Sequence, residues 1–200
     1  MAAHPGAVVV TVTAGKPPPH RLTDWDRQCG FSEMDDVVQA RRAEDAAAVE
    51  QLGARPRWLD FLDRQYAGGQ PPSRVGIRSA IEAVISGRRD GAPGLIASPL
   101  GLSHPDHVVT AAACFDLARA MPTMTWVVYE DAIYRATDGT TIEAVVRLAE
   151  AGFALEPLDV KASTRKRAAI DRYPSQLKGL GGLIGDAYKP ERYWSVVGRP

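Results

Sequence analysis

Residues 94–120 read GLIASPLGLSHPDHVVTAAACFDLARA and contain a strand, a polar loop and a helix in direct succession. The apolar run at the start predicts a buried strand over Gly94–Ser98, which Pro99 closes. Pro105 suits the first turn of a helix, where the missing N–H of proline costs no hydrogen bond. The Ala-rich stretch after it predicts a helix over Asp106–Ala120. A strand that leads into a helix is the repeating unit of an α/β fold.

The same alternation extends in both directions from this segment. It predicts an α/β fold with a mostly parallel sheet, formed by a single domain over residues 1–200. Residues 16–36 are expected to form a long loop, and the tail after Gly182 is expected to be irregular. The other predicted strands are Val8–Thr13, Trp58–Leu62, Thr125–Tyr129 and Phe153–Val160. The other predicted helices are Val37–Leu52, Ser73–Ile85, a segment from Thr140 to near Gly152, and residues 162–180, divided at Pro174.

Composition excludes several classes of protein. The 24 Lys and Arg residues balance 24 Asp and Glu residues, whereas a protein that neutralises nucleic-acid phosphates usually has a basic excess. The two cysteines, Cys29 and Cys114, form no closely spaced pair, which excludes a disulfide scaffold and suits a reducing cytoplasm. No apolar run reaches about 18 residues, and the N-terminus does not resemble a signal peptide. We therefore expect a cytoplasmic protein without a nucleic-acid or membrane partner.

Two of the four histidines lie in the HPDH run that follows the predicted strand Gly94–Ser98. Ligands bind at the carboxyl ends of parallel strands, so this loop is a candidate site. One imidazole can bind a metal through a ring nitrogen while the other donates a hydrogen bond to a developing oxyanion. Asp106 could orient one of the two rings. The alternative is that His104 caps the helix and that His107 is a surface residue.

HPDH resembles the second motif of the PIG-L / LmbE-like family of zinc-dependent N-deacetylases. Four other segments are similar to family patterns in the same order, and the resemblance extends from about Val8 to about Gln176. HPDH together with an R-x-x-E helix is much more specific than HPDH alone. The four segments are VVTVTAG at residues 9–15, the helix with Arg41, Glu44, Ala48 and Leu52-Gly53, the run Trp58–Asp63, and Tyr129-Glu130-Asp131 with Tyr134.

The resemblance implies a Rossmann-like three-layer sandwich of the LmbE type and a zinc-dependent removal of N-acetyl groups. In such a site two His and one Asp hold the zinc, which polarises the amide carbonyl and activates a water. By this resemblance, His107 is a zinc ligand, His104 stabilises the oxyanion and Asp106 supports a neighbouring ring. Arg41 and Asp63 would line the substrate site. An Arg three residues before a Glu on a helix is, however, also a common surface ion pair.

The family's first motif, H-x-D-D, has no counterpart in this sequence. It would supply one zinc His, the zinc Asp and the general base, upstream of the strand Val8–Thr13. The run His4-Pro5-Gly6-Ala7 is no substitute, because it lacks both aspartates. The resemblance therefore leads us to expect that the first strand and helix are missing and that the chain starts about 20 or more residues late.

A replacement zinc site is conceivable within the loop of residues 16–36. It would combine His107 with His20 and an aspartate, either Asp24 or Asp26. The loop is rich in proline, and a catalytic zinc needs three ligands on well-supported elements.

The sequence is consistent with two functions, one of an enzyme and one of a non-catalytic binding protein. The first is a hydrolase that removes an N-acetyl group from an amino sugar or glycoconjugate, and the retained HPDH run favours it. The alternative is a catalytically inactive or truncated family member that only binds a sugar or a nucleotide, and the absent H-x-D-D motif favours it. A dinucleotide-binding Rossmann protein is excluded, because no G-x-G-x-x-G follows the first strand.

Overall fold

The computed structural model describes residues 4, 6–19, 21–87, 94–161 and 163–200. The chain divides into two compact units. Unit 1 is Met1–Gln70 with Ala162–Lys189, and unit 2 is Pro71–Lys161 with Pro190–Pro200. Each unit contains a pair of parallel strands joined through a helix, so the predicted α/β class is confirmed. The single domain over residues 1–200 stays a prediction.

Helices and strands alternate along most of the described chain. The strands are β1 (Val8–Thr11), β2 (Arg55–Trp58), β3 (Leu95–Pro99), β4 (Thr125–Tyr129), β5 (Ala154–Leu158) and β6 (Tyr193–Gly198). The α-helices are α1 (Asp24–Gln28), α2 (Val37–Gln51), α3 (Arg74–Ser86), α4 (Pro105–Ala120), α5 (Thr140–Glu150), α6 (Lys166–Ile170) and α7 (Pro174–Leu180). Short 3₁₀ segments cover Tyr134–Ala136 and Gly181–Asp186. No helix in the described part of the chain is long and apolar enough to cross a membrane.

Unit 1 is built on the parallel pair β1 and β2, with α2 as the crossover between them. The Asp36 side chain caps α2 by accepting a hydrogen bond from the backbone N–H of Gln39. The helix packs against β2 and α6, and Ala48 and Val49 are among its buried residues. The boundaries agree with the predicted helix Val37–Leu52 to within one residue.

β2 lies earlier in the chain than the sequence pattern predicts. The apolar run predicted a strand over Trp58–Leu62, whereas the strand covers Arg55–Trp58. Arg55 and Arg57 are exposed, and Pro56 and Trp58 are half-buried. One face of β2 is therefore open to solvent, and a search for continuous apolar residues does not detect such a strand.

The segment of residues 16–36 is not loop throughout, because it contains α1. The Thr23 hydroxyl accepts a hydrogen bond from the backbone N–H of Asp26, and the Asp26 carboxylate accepts one from the backbone N–H of Thr23. This reciprocal pair is a capping box. Asp takes the place of the usual Glu or Gln here, and the helix is only five residues long. Neither feature makes a strong sequence signal.

Unit 2 contains a four-stranded sheet in the order β3-β4-β6-β5. β3 and β4 pair in parallel, from Leu95 opposite Thr125 to Pro99 opposite Tyr129. β6 pairs antiparallel with both β4 and β5. Parallel pairing is thus found at β1–β2 and at β3–β4, and antiparallel pairing enters through β6.

The prediction of an irregular tail is wrong for Tyr193–Gly198, which forms β6. Arg192 and the Trp194 indole N–H both donate to the buried carboxylate of Glu130, each at 3.2 Å. Glu130 directly follows β4, so it links the tail to the sheet. The strand depends on partners distant in sequence, which a local pattern does not reveal.

The predicted strand and helix of residues 94–120 are confirmed to within one residue by β3 and α4. Pro105 occupies the first turn of α4, which packs on β3 and α3. The loop between them passes close to the helix at Gly101, where φ is +81°. A Cβ there would lie 2.6 Å from the Cβ of Ala111, so only glycine allows this approach.

Candidate functional site

In unit 2, a polar cluster lies at the carboxyl ends of the parallel strands β3 and β4. Nδ1 of His107 is 2.6 Å from Oδ1 of Asp131, the second residue after β4. Asp131 is 1% exposed, whereas the His107 side chain is 40% exposed. A buried carboxylate on Nδ1 orients an imidazole and leaves its Nε2 as the nitrogen for chemistry.

The other carboxylate oxygen of Asp131 holds the loop that follows β3. Oδ2 accepts from the backbone N–H of Gly101 at 2.9 Å and from that of Leu102 at 3.0 Å. Arg147 of α5 donates to the Gly101 carbonyl at 2.9 Å. Two backbone N–H groups and an imidazole thus satisfy the buried carboxylate. The loop is fixed to the end of β4 through this one side chain.

Three rings form a cluster at this site, namely those of His104, His107 and Tyr134. The two imidazole centroids are 5.2 Å apart, edge to face. The Tyr134 centroid lies 5.1 Å from that of His107 and 5.5 Å from that of His104. The structure therefore brings together the two histidines that the HPDH run predicts, and it adds the last residue of the Y-E-D-x-x-Y segment.

The remaining residues of the HPDH run lie at the start of α4. His104 occupies the N-cap position, but its side chain makes no capping hydrogen bond, so the capping interpretation is wrong. Asp106 is 5% exposed on the first helical turn, where a carboxylate interacts favourably with the helix dipole. Its support of a neighbouring imidazole stays a prediction.

Burial raises the pKa of two other groups of unit 2 further above neutral pH. It raises the pKa of the Cys114 thiol in α4 to about 12. It also raises the pKa of the Tyr129 phenol at the end of β4. Neither group supplies an anionic nucleophile at neutral pH.

Unit 1 contains a cavity of about 260 Å³ next to α2, just below the range of about 300–1,000 Å³ that is typical of ligand sites. The predicted substrate residues Arg41 and Asp63 both line it. The Asp63 carboxylate also accepts from the backbone N–H of Gln65 at 3.0 Å, which fixes it in a turn. The aromatic residues of the wall are Trp25, Trp58, Tyr66 and Tyr173.

A fully buried carboxylate orients Arg41 in this wall. Nη2 of Arg41 is 3.0 Å from Oδ1 of Asp26, and the Tyr66 hydroxyl donates to the same carboxylate at 2.9 Å. Burial and the neighbouring Asp26 carboxylate raise the pKa of Tyr66. The guanidinium also lies over the ring of Phe31. Arg41 therefore pairs with Asp26, and the alternative of a surface ion pair with Glu44 is wrong.

Glu44 and Asp45 tie α2 to the start of α7. Glu44 accepts from the backbone N–H of Ser175 at 2.9 Å and from its hydroxyl at 2.6 Å, which satisfies a donor in the first turn of that helix. Asp45 accepts from the Tyr173 hydroxyl at 2.9 Å and from the Trp58 indole at 2.7 Å. The Glu of the R-x-x-E pattern thus serves the packing of unit 1.

The zinc site that the resemblance implies is not complete among these residues. The part of the chain that the structure describes contains no group of three or more His, Cys, Asp or Glu side chains that could hold a metal ion. A catalytic zinc needs three protein ligands, so the described set does not fit one. Of the described residues, only His107 has the arrangement typical of a zinc ligand, in which a carboxylate holds one ring nitrogen and the other is left to bind the metal. For the conceivable replacement site, His20 lies outside the described residues, and Asp26 binds Arg41 and Tyr66.

The family described as PIG-L: GlcNAc-PI de-N-acetylase matches residues 1–118. The match covers more than half of the 200 residues and includes both the R-x-x-E helix and the HPDH run. The chain belongs to the PIG-L family. The predicted resemblance is therefore confirmed. No curated protein shows a significant match to the chain.

Solved structures of deacetylases are similar to this member of the PIG-L family. The A40926 pseudoaglycone deacetylase Dbv21 is 26% identical, with a TM-score of 0.73 over 96% of this chain and 84% of that one. A deacetylase from the biosynthesis pathway of teicoplanin is 25% identical, with a TM-score of 0.75 over 96% and 86%. The zinc-inhibited form of teicoplanin deacetylase Orf2, at 24% identity and a TM-score of 0.74 over 96% and 87%, shares the fold. The predicted LmbE-like fold is confirmed.

Sequence reasoning assigned no role to Asp131 or Tyr134, and it considered Asp26 only as a ligand of a replacement zinc site. The first two lie within five residues of the end of β4, and the carboxyl ends of parallel neighbours meet at one edge of a sheet. That rule was the available signal for both residues. Asp26 lies in a segment expected to be loop, so nothing in the pattern indicated its burial. The catalytic and metal-binding roles of the HPDH residues stay predictions.

Proposed function

We propose that this chain is an N-deacetylase-type hydrolase that cleaves the amide of an N-acetylated amino sugar or glycoconjugate. The description of the family as a GlcNAc-PI de-N-acetylase supports this proposal. So do the structures at 25–26% identity, which are deacetylases of A40926 pseudoaglycone and of the teicoplanin pathway. The substrate class we expect is a small molecule or a glycoconjugate.

The observation that carries the proposal is the pair of His107 and Asp131. Amide hydrolysis develops an oxyanion and then requires a proton on the leaving amine. With Nδ1 held by the buried carboxylate, Nε2 of His107 can bind the zinc that the resemblance implies or, where no metal is bound, accept or donate a proton at the reacting amide. His104, whose ring lies 5.2 Å away, would donate a hydrogen bond to the oxyanion. Asp106 would support the imidazoles from the first turn of α4.

Substrate recognition is assigned to the cavity of unit 1. The orientation of Arg41 by a buried carboxylate preorganises its remaining N–H groups to donate to sugar hydroxyls. Asp63 is an acceptor for the same class of group. Aromatic rings such as Trp58 provide an apolar face for the ring of a sugar.

Zinc is the cofactor that the resemblance implies, and a bound zinc ion would polarise the amide carbonyl and activate water. The described residues supply one of the three ligands that such a zinc ion requires. Both cysteines are free and buried, which supports a reducing compartment such as the cytoplasm.

The zinc ligands found among the described residues are too few for catalysis, which favours a second candidate function. In that case the chain binds a sugar in the cavity of unit 1 and does not hydrolyse it. The cavity and the Arg41–Asp26 pair do not depend on a metal, so binding would persist without catalysis.

Acetate release from N-acetylglucosamine and from one of its β-glycosides tests the first function, with and without added zinc chloride. We expect release by the wild-type chain and a loss of about 100-fold in His107→Ala. The matched control is His4→Ala, which removes an exposed histidine and should leave the rate unchanged. Binding of the same sugars by NMR without acetate release would support the second function. If the chain showed no binding and released no acetate, both proposed functions would be contradicted.

A further inference from the structure

Two non-glycine residues have a positive φ in the described chain, and each directly precedes a ring of the cluster in unit 2. Ser103, with φ of +43°, precedes His104. Ile133, with φ of +65° and ψ of −43°, precedes Tyr134. A β-branched side chain avoids this region strongly, so Ile133 is a true outlier. Such conformations persist only where the surrounding structure determines them, and they concentrate at functional sites.

Asp131 holds both of these strained turns. Its carboxylate accepts from the backbone N–H of Leu102, whose own carbonyl accepts from the backbone N–H of His104 and closes a tight turn around Ser103. Its backbone carbonyl accepts from the N–H of Arg135 at 3.1 Å, across the turn that contains Ile133. The two turns are therefore fixed to each other through one buried residue.

The turn that contains Ile133 leads directly into Tyr134. The Thr140 hydroxyl at the start of α5 donates to the Tyr134 carbonyl at 3.1 Å and fixes that end of the turn. The phenol ring then meets the His107 ring at an interplanar angle of 76° and the His104 ring at 39°. The hydrogen bond from Nδ1 of His107 sets one atom of its imidazole, and contact with a neighbouring ring restricts the rotation that the bond leaves open.

We propose that Tyr134 is a positioning residue, pressed by the strained turn at Ile133 against both imidazoles so that each keeps one rotamer. Tyr134 acts through His104 and His107 and not on the substrate itself. Its consequence for catalysis rests on the proposed deacetylase function. Its effect on the rings does not, so the two can be tested separately.

Imidazole ¹H–¹⁵N correlation spectra of the ¹⁵N-labelled full chain at one fixed pH test the effect on the rings. We expect one sharp set of signals for His104 and His107 in the wild type and in Tyr134→Phe, which keeps the ring. In Tyr134→Leu both sets should broaden or double, while the signals of His4 stay unchanged. Unchanged spectra in Tyr134→Leu would overturn the proposal. Equal disturbance in the Phe and Leu variants would also overturn it, because the hydroxyl and not the ring would then be responsible.

Ile133→Gly and Ile133→Ala test the backbone strain at Ile133, because both remove the branched side chain and they differ only in the Cβ atom. Alanine retains the cost of a positive φ, and glycine does not. We expect the glycine variant to melt about 3 °C higher than the alanine variant. Equal melting temperatures would show that the turn at Ile133 stores no strain and would overturn that part of the proposal.

The catalytic consequence is a split between kcat and KM for acetate release from the N-acetylglucosamine glycoside. Tyr134→Leu should lower kcat about tenfold and change KM less than twofold, because ring orientation affects the chemical step and not binding. Tyr134→Phe should restore most of the lost rate. A change confined to KM would overturn the positioning role. If the wild-type chain released no acetate, the proposed function would fail, and the spectra would still decide the role of Tyr134.

Discussion

The two units each place a buried carboxylate beside a candidate site residue, but they hold it by different means. In unit 2, two backbone N–H groups and His107 satisfy Asp131. In unit 1, Asp26 accepts from three side chains, those of Arg41, Tyr66 and Thr23, and from one backbone N–H, that of Thr23. Backbone donors are already ordered by the fold and cost no further entropy, whereas long side chains lose conformational entropy when they are ordered around a carboxylate. A change at Asp131 should therefore act mainly on the imidazole, and a change at Asp26 mainly on the stability of unit 1.

The largest effect is expected for Asp26→Ala, which should lower the free energy of unfolding by about 3 kcal/mol. The variant leaves the guanidinium of Arg41, only 20% exposed, without its carboxylate. Each unit has one buried cysteine, so alkylation by iodoacetamide reports where the chain opens, once the rate at Cys29 is corrected for its thiolate fraction, which the Asp26 carboxylate lowers. Alkylation of Cys29 should accelerate, and alkylation of Cys114 should not.

Asp24→Ala is the matched control for this variant. Asp24 belongs to the same helix, but its side chain is fully exposed and pairs with Arg27, which is itself half-exposed. Exposed pairs of this kind contribute about 0–1 kcal/mol, so the rate at Cys29 should hardly change. Equal acceleration at both cysteines in Asp26→Ala would contradict the assignment of the effect to unit 1.

The second expected effect concerns the imidazole. On the proposed function, Asp131→Asn should lower the rate of acetate release about 100-fold, equivalent to about 2.7 kcal/mol. An asparagine amide can donate to Nδ1 of His107, so the ring must carry its proton on Nε2, the opposite tautomer. The free energy of unfolding should fall much less than the activation free energy rises. The amide oxygen of the asparagine can still accept from the backbone N–H groups of Gly101 and Leu102.

Glu130→Gln separates this effect from damage to the sheet. Glu130 is as buried as its neighbour Asp131, but it binds Arg192 and Trp194 and not the imidazole. We expect lower stability and a rate within a few-fold of wild type. An equal loss of rate in both variants would show that Asp131 acts through the sheet and not through His107.

The same contrast explains which features could be predicted from sequence. β3, α4 and the juxtaposition of His104 with His107 depend on local signals, namely an apolar run, a proline at the helix start and short spacing. Asp26 and the strand β6 depend on partners that lie far away in the chain, and no local pattern reports them. The R-x-x-E pattern marked the correct helix, but its two side chains serve different partners from those that spacing alone suggests.

The third prediction concerns the loop that Asp131 holds by its backbone. Gly101→Ala should lower the free energy of unfolding by about 2–3 kcal/mol, because it combines a positive φ with a contact of 2.6 Å to Ala111. Gly139→Ala is the control, since its φ of +85° is equally unfavourable but its nearest neighbour is 3.8 Å away. It should cost about 1 kcal/mol. Equal losses in urea denaturation would show that the loop can move away from α4.

The smallest effect is expected at an exposed ion pair of unit 2, between Arg74 and Asp116, whose two hydrogen bonds measure 2.6 and 2.7 Å. The hydrogen bonds from Arg74 lower the pKa of Asp116 below its ordinary value. The unfolded chain therefore binds this proton more tightly than the folded chain. The pair stabilises the fold above the unfolded pKa of about 4, and this contribution is lost as the pH falls through the folded pKa.

Because Arg74 is half-exposed, screening limits that contribution to about 0.5 kcal/mol. Asp116→Asn should lose about this amount at pH 7 in urea denaturation, and the difference from wild type should shrink in acid. Asp138→Asn, at an exposed turn position, should show no difference at either pH. A loss that grows in acid would contradict the direction of the pKa shift. Asp116→Asn could also lower the free energy of unfolding at pH 7 by as much as Asp26→Ala does. Burial would then not explain the larger effect expected for the carboxylate of unit 1, and the contrast between the units would be wrong.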